Sequence, residues 1–331
     1  MINIEFTHDY GTSNDQVMSL YEKSRRLQWD IDRDIDWSLP FDPSHPILGS
    51  STFPIFELPM FQRLSRTQQE TLNARFTANA LSQFVHGEQG ALLVAAMLTS
   101  VCPQYEAKLF ASAQAYDEAR HLEVFSRYVR RCGGLEPPDP QMKKMLDAIL
   151  GADHWAKAMV GMQIIVEGVA LTAFHSYRKS TRDPVLQNLL QLVLRDEARH
   201  VSFGQVFLTR AVEEDDALAD EIADFTVEAI RMWATFRQSA ARKTLPLLMT
   251  AGVDPEDMLK ELAAAERSGQ NIKNRPAQGQ DALESFILPA LKRTGLMNEV
   301  LVTKIRQQAP RVDLDHIDDH TSLLDHLREL S

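Results

Sequence analysis

The pentapeptide Asp-Glu-Ala-Arg-His occurs twice in the chain, at 117–121 and 196–200. Each copy sets a carboxylate and an imidazole three residues apart: Glu118 with His121, and Glu197 with His200. Three residues is almost one helical turn, so each pair shares a helix face and can grip one metal ion. A two-metal site in a helix bundle needs one further Glu from each of two other helices. Glu88 and Glu167 fit that need. Each precedes its motif Glu by 30 residues, so Glu88, Glu118 and His121 map onto Glu167, Glu197 and His200 with a constant offset of 79. Ala91 and Leu92 follow onto Ala170 and Leu171, while Phe125 meets Gly204, as expected of a duplicated helix hairpin that has diverged.

The spacing makes a geometric demand. Two antiparallel helices bring residues level only if both are equidistant from the turn. The midpoint of Glu88 and Glu118 is Pro103, which cannot continue a helix interior. The midpoint of Glu167 and Glu197 is Arg182, inside Ser-Thr-Arg-Asp-Pro, a turn signal. Both hairpins therefore level their ligands roughly 22 Å from the turn, at about 1.5 Å per residue.

A lone Glu-x-x-His usually marks a solvated helix face, and motifs of this length produce false positives. Here the flanks are apolar. Glu88 precedes Gln-Gly-Ala-Leu-Leu-Val-Ala-Ala-Met-Leu, and Glu167 follows Met-Val-Gly-Met-Gln-Ile-Ile-Val. A carboxylate buried there is costly unless it is paired or binds metal. An ion-paired core is the rival, but Arg120 and Arg199 adjoin the ligand stripe rather than share it.

Four carboxylates and two imidazoles, with no thiolate, suit iron or manganese better than copper(I) or an iron–sulfur cluster. Zinc usually takes fewer ligands, often with Cys. Two iron(II) ions can pass two electrons to O2 together, a chemistry that belongs to the metals while the protein sets access and surroundings. No catalytic residue beyond the ligands is expected. Metal-bound His normally donates its other N–H to a carboxylate or carbonyl. The expected arrangement is crossed, with Asp196 holding His121 and Asp117 holding His200, and Arg120 and Arg199 neutralising the aspartates.

Residues one turn from the ligands are expected to line a substrate pocket. On the first hairpin these are Phe84, Ala91, Leu92, Gln114, Ala115, Leu122 and Phe125. On the second they are Gln163, Ile164, Leu171, Phe174, Val193, Val201, Phe203 and Gly204. Most are apolar, which suits an aromatic or aliphatic substrate. Tyr116 should point away, and His86 and His175 read as structural.

These residues resemble the ferritin-like di-iron carboxylate superfamily, most clearly over 66–210. Arg-Asp-Glu-Ala-Arg-His at 195–200 is similar to a segment of the ribonucleotide reductase small subunit. Residues 20–37 are similar to the lead-in of the ligand-binding oxidases related to it. Length and added C-terminal helices also resemble p-aminobenzoate N-oxygenase. The resemblance implies O2 activation at a di-iron or manganese–iron centre. Several departures narrow it. Phe125 stands where the reductase carries a radical Tyr, and the C-terminal tail lacks the Tyr that passes the radical on. Ala91 and Met162 cannot form the Val–Tyr cross-link of the oxidases. Val193 replaces the extra ligand His of the N-oxygenase, so six ligands are expected.

The chain has 331 residues, 44% hydrophobic and 24% charged, with a net charge of −11. That balance excludes a nucleic-acid partner. Two cysteines without a CxxC spacing point to a reducing cytoplasm. No leader is expected at the N-terminus, and no membrane span, since apolar runs fall short of about 18 residues.

The expected fold is all-α: a ferritin-like four-helix bundle with one long crossover. Residues 1–65 would form a short helix near 13–28 and a Pro-rich wrapping arm. Residues 66–210 would form the bundle, with helices near 66–101, 104–132, 153–180 and 184–210, and a crossover helix near 140–150. Residues 211–331 would add helices near 214–246, from 254, within 280–308 and at 317–330, with a polar loop at 269–279. The role of this last third stays open between covering the pocket, a dimer contact and plain packing.

The expected function is that of an O2-dependent di-iron oxygenase, a monooxygenase acting on a small, largely apolar molecule. It would use two iron ions and O2, draw electrons from a ferredoxin or flavin reductase, and form a homodimer. The alternatives are a ferroxidase or other iron-handling protein, a manganese–iron ligand-binding oxidase, and a purely structural bundle.

Overall fold

Local chemistry fixes where the long helices begin and end. In a computed structural model, which describes residues 4–49, 54–242, 244–267, 282–309 and the isolated positions 312, 314 and 317, the elements run as follows. Helix α1 is Asp15–Arg26, capped by Asn14. A short α2, Pro59–Gln62, precedes α3, Arg66–Val101, whose first turn is closed by the Ser65–Gln68 capping box. Pro103 ends α3, and α4 follows as Tyr105–Arg131. Gly133 and Gly134, both at positive φ, release the chain from α4. The crossover carries α5, Pro140–Leu150, capped by Asp139 with Pro140 in its first turn.

The third bundle helix differs from its counterpart α3. It opens as α6, Trp155–Met159, widens into a π-helical segment at Val160–Val166, and continues as α7, Glu167–Ser180. After a turn at Thr181–Asp183, α8 runs from Pro184 to Glu214. The observed turns contain Pro103 and Arg182, the two midpoints that the ligand spacing demands. The C-terminal third continues with α9, Leu218–Arg242, then α10, Thr244–Thr250, and α11, Pro255–Arg267. A second π-helical turn at Leu283–Ile287 leads into α12, Leu288–Arg293, and then α13, Glu299–Gln308. The expected polar loop at 269–279 lies outside the described residues, as does the last helix at 317–330 apart from position 317.

Helices α3 and α4 pack along most of their length, as do α7 and α8, and α1 lies across α4 and α8. One large core fills the bundle and extends under α9, α12 and α13. A smaller core joins the arm (Phe56, Leu58, Met60 and Phe61) to the start of α3 and to Leu247 and Met258. Its link to α11 is anchored by Glu261, which accepts from the Met60 amide at 2.7 Å and pairs with Arg63.

Two helices, Arg66–Val101 and Trp155–Ser180, are long and apolar enough to cross a membrane by composition, which the uninterrupted-run criterion did not register. Their apolar faces are spent on the bundle core, since Leu81, Val94, Leu98, Ile164 and Leu171 are all fully buried.

Candidate metal centre

Glu88 rises from the middle of α3, Glu118 and His121 from α4, Glu167 from the first turn of α7, and Glu197 and His200 from α8. None of the six is more than 5% exposed. They form two overlapping clusters, Glu88–Glu118–His121–Glu197 and Glu118–Glu167–Glu197–His200, each with one donor atom per residue mutually within 4.8 Å. Glu118 and Glu197 belong to both. Glu118 sets one oxygen 3.3 Å from His121 Nδ1 and the other 3.1 Å from His200 Nδ1. Glu197 does the same at 3.1 and 3.2 Å. Glu88 stands 3.4 Å from His121, and Glu167 stands 3.9 Å from His200.

Burial pushes the Glu88 and Glu167 carboxyls well above the usual carboxylate range, and the Glu197 charge adds to it. Burial acts on Glu118 in the same sense, but the His200 and His121 imidazoles outweigh it and hold it well below that range. Glu197 ends at about 2, because a hydrogen bond with Glu167 and the two imidazoles outweigh both burial and the Glu118 charge. Burial would lower both imidazoles, yet the surrounding carboxylates hold them well above 6.5.

The donor set fits a pair of metal ions. Four carboxylates packed so closely demand positive charge, and two divalent cations would balance them. Glu118 Oε2 and His121 Nδ1 are buried and make no aligned hydrogen bond among the described residues, although both face the cluster. Buried polar atoms are rarely left so; an ion bound between them would satisfy both.

The outer faces of the imidazoles are held in a crossed pattern. His121 Nε2 lies 3.1 Å from Asp196, and His200 Nε2 lies 3.5 Å from Asp117. Each aspartate thus steadies the imidazole of the other motif and leaves Nδ1 turned toward the carboxylates. Arg120 donates to both aspartates, at 2.6 and 2.8 Å. Arg199 donates to Asp196 and stands 3.7 Å from Asp117. The two Asp–Arg pairs balance in charge and are buried.

Two members of this network come from the arm and were missed in the sequence. Trp29 Nε1 donates to Asp196 at 2.7 Å, and its ring stacks near His121 and beneath Arg120. Gln28 Nε2 donates to Asp117 at 3.0 Å and its oxygen accepts from Arg120. Their side chains sit beyond α1, far from the motifs in sequence, so no spacing rule reaches them.

The residues named for the pocket divide in the structure. A cavity of about 250 Å³ opens beside Glu88, Glu167 and Glu197, between α3 and α7. Of the fifteen expected positions, it touches Phe84 and Ala91. The others stand away from it, which corrects that expectation. Phe125, Leu171, Phe174, Val193, Val201 and Phe203 are packed core, and Phe125 and Phe174 stack on each other behind Phe84. Ile164 and Gly204 are likewise buried, and Leu92, Ala115 and Leu122 lie half-buried on outer faces. One turn from a ligand specifies a height on the helix, whereas cavity lining depends on which neighbouring helix leaves a gap. The gap is roofed by Met142 and Met145 of α5 and by Trp233, Phe236 and Leu247 of the C-terminal third. That third therefore covers the cavity.

Gln114 and Gln163 serve the carboxylates instead. Gln114 Nε2 donates to Glu118 at 2.9 Å and to Glu167 at 3.1 Å, while its oxygen accepts from Gln163 at 2.7 Å. Tyr116 is exposed, and His86 bonds the Glu136 carbonyl at 2.9 Å.

A family model described as p-aminobenzoate N-oxygenase AurF matches residues 12–277. The chain belongs to this family. It is thus an oxygen-dependent oxidoreductase with a ferritin-like fold. Val193, at the position where the resemblance implies an extra ligand His, is fully buried. Among solved structures, two mutants of an R2-like ligand-binding oxidase share the fold. One, with aerobically reconstituted Mn/Fe cofactor, is 19% identical over 82% of this chain and 97% of its own, with a TM-score of 0.50. Another, reconstituted anaerobically, is 20% identical over 82% and 96%, with a TM-score of 0.51. A Synechococcus protein with aldehyde deformylating oxidase activity, 19% identical over 72% and 97%, has a TM-score of 0.49. No curated protein matches.

Proposed function

We propose that the chain is a di-iron monooxygenase that hydroxylates or N-oxygenates a small, largely apolar molecule. Glu118 and Glu197, which belong to both clusters, would be shared between the two ions, Glu88 and His121 would complete one site, and Glu167 and His200 the other. The observation that carries this reading is that both shared carboxylates reach both imidazoles, beside a cavity that opens onto the same carboxylates. When bound, the iron pair would supply electrons to O2. The protein's share is to hold His121 and His200 by their Nε2 atoms, orient Glu118 and Glu167 through Gln114, and keep water from an apolar cavity.

Each monooxygenation consumes two external electrons, so a ferredoxin or flavin reductase is the proposed donor. A homodimer in the cytoplasm is the proposed state. A manganese–iron pair is the second reading. It is favoured by the inequivalence of the two half-sites, since Gln114 bonds Glu118 and Glu167, on the His200 side. Anaerobic reconstitution should load two metal ions per chain, measured by elemental analysis. O2 uptake by the iron(II) protein should then form product from an arylamine. Fewer than about one ion per chain, or catalytic turnover of added iron(II) with release of iron(III), would overturn the reading.

A further inference from the structure

The two hairpins are braced differently beside their first glutamate. At the offset of 79, Gln89 corresponds to Gly168. Gln89, next to Glu88 on α3, is exposed to solvent. Gly168, next to Glu167 on α7, is buried under Phe286, itself fully buried. A Cβ at Gly168 would lie 2.4 Å from two carbons of the Phe286 ring. The ring therefore rests directly on the α7 backbone, an approach that only glycine admits.

Both partners in this contact belong to interrupted helices. Phe286 lies in the π-helical turn Leu283–Ile287. Gly168 is the second residue after the π-helical segment Val160–Val166, and the Glu167 amide donates to the Met162 carbonyl, five residues back. Such wide turns break the regular hydrogen-bond ladder and recur at functional sites. Among the six clustered residues, Glu167 alone stands at the exit of one. A continuous α-helix therefore fixes the height and rotation of the other five, but not of Glu167. The C-terminal segment reaches both helices of this hairpin, since the turn at Leu283–Ile287 packs on α7 and α12 continues over α8. Leu283, Ile287 and Leu288 are buried around Phe286 and fix the segment in place.

We propose that Phe286 is a positioning residue for Glu167. Resting on Gly168, it holds α7 at the distance from α8 at which Glu167 joins His200, so the C-terminal third governs one half of the centre. The half built on Glu88 and His121 has no such dependence, because its α3 helix is unbroken beside Glu88. The consequence is an asymmetry: disturbing Phe286 weakens metal binding on the His200 side only, whereas a general loss of packing weakens both sides alike. The proposal rests on the two-metal reading of the cluster.

The test measures iron(II) affinity by anaerobic competition with a chelator in two single-site backgrounds. Glu88→Ala keeps the ion on the His200 side, and Glu167→Ala keeps the ion on the His121 side. Adding Phe286→Ala to Glu88→Ala should weaken the remaining ion at least about tenfold. Adding it to Glu167→Ala should change the remaining ion by less than about twofold. Phe286→Leu, which keeps more of the volume, should act in the same direction by less, with circular dichroism checking the fold of each variant. Gly168→Ala should also weaken the His200-side ion, and combined with Phe286→Ala it should lose less than the two single losses together, because the clash is with that ring. Leu301→Ala, buried on α13 against α9, should lower the Tm without the asymmetry. Equal weakening in both backgrounds, no weakening in the Glu88→Ala background, or the same asymmetry from Leu301→Ala would overturn the proposal. Failure of the two-metal reading would show separately, as unsubstituted protein that holds fewer than about one ion per chain.

Discussion

At the offset of 79, Phe84 and Phe125 of the first hairpin correspond to Gln163 and Gly204 of the second. In the first, the two rings meet at 5.9 Å and Phe84 walls the cavity. In the second, a Cβ on Gly204 would lie 2.3 Å from the Gln163 Cβ, so glycine is what lets Gln163 reach Gln114. Gln114 in turn corresponds to Val193. The six clustered Glu and His residues and the Asp-Arg pairs behind them are identical in both halves. One turn away that identity ends. There the same helical position became an apolar wall in one half and a carboxamide brace in the other. The helix backbones diverge too: α3 is unbroken, while its counterpart passes through the π-helical Val160–Val166 directly before Glu167.

The largest expected effect breaks the symmetry between ligands. Glu118→Ala or Glu197→Ala should abolish both metal sites, since each residue serves both clusters. Glu88→Ala or Glu167→Ala should leave about one ion per chain. Elemental analysis after reconstitution distinguishes them, and full occupancy in either shared-carboxylate variant would refute the shared assignment.

The aspartates offer a finer contrast. Asp196 accepts from Trp29, Arg120 and Arg199 and sits 3.1 Å from its imidazole; Asp117 sits 3.5 Å from its own. Asp196→Asn should lower metal affinity by about 10–100-fold, and Asp117→Asn by less. Competition with a chelator measures both, and the reverse order would show that the tighter network is not the stronger support.

Gly204→Ala should cost about 1–3 kcal/mol of stability by overpacking against Gln163, readable by urea denaturation. Adding Gln163→Ala should recover much of that loss, because the clash is with that side chain. If the double variant is no better than the single one, Gly204 matters for another reason.

The smallest effect is in pH. In the metal-free protein His121 and His200 titrate well above 6.5. Their stabilising contribution is full below about 6.5 and is lost as pH rises through the elevated values. The raised Glu88 and Glu167 act in the same direction. The metal-free Tm should therefore fall by a few degrees between about pH 6.5 and 9, while the metal-loaded Tm, with neutral coordinated imidazoles, should change less.

The motif spacing was enough to bring the ligands level. Helical rise is uniform, so equal distances from Pro103 and Arg182 translate directly into equal heights. The crossed placement of Asp117 and Asp196 was legible for the same reason, each lying next to a ligand on its own helix. The cavity was not. Its roof comes from Met142, Met145, Trp233, Phe236 and Leu247, which no periodicity links to Glu88. Trp29 and Gln28 were equally silent, because an extended arm has no fixed rise from which to project a side chain.

By itself, then, the sequence determined the all-helical class, the two hairpins and the six converging side chains, since these follow from local turn chemistry and a constant 1.5 Å step along each helix. Tertiary structure decided which carboxylates are shared, which helices leave a gap, and which distant segments close it. Those depend on how separate helices rotate and pack against one another, and that is set by the summed fit of many side chains rather than by any spacing along one strand of the chain.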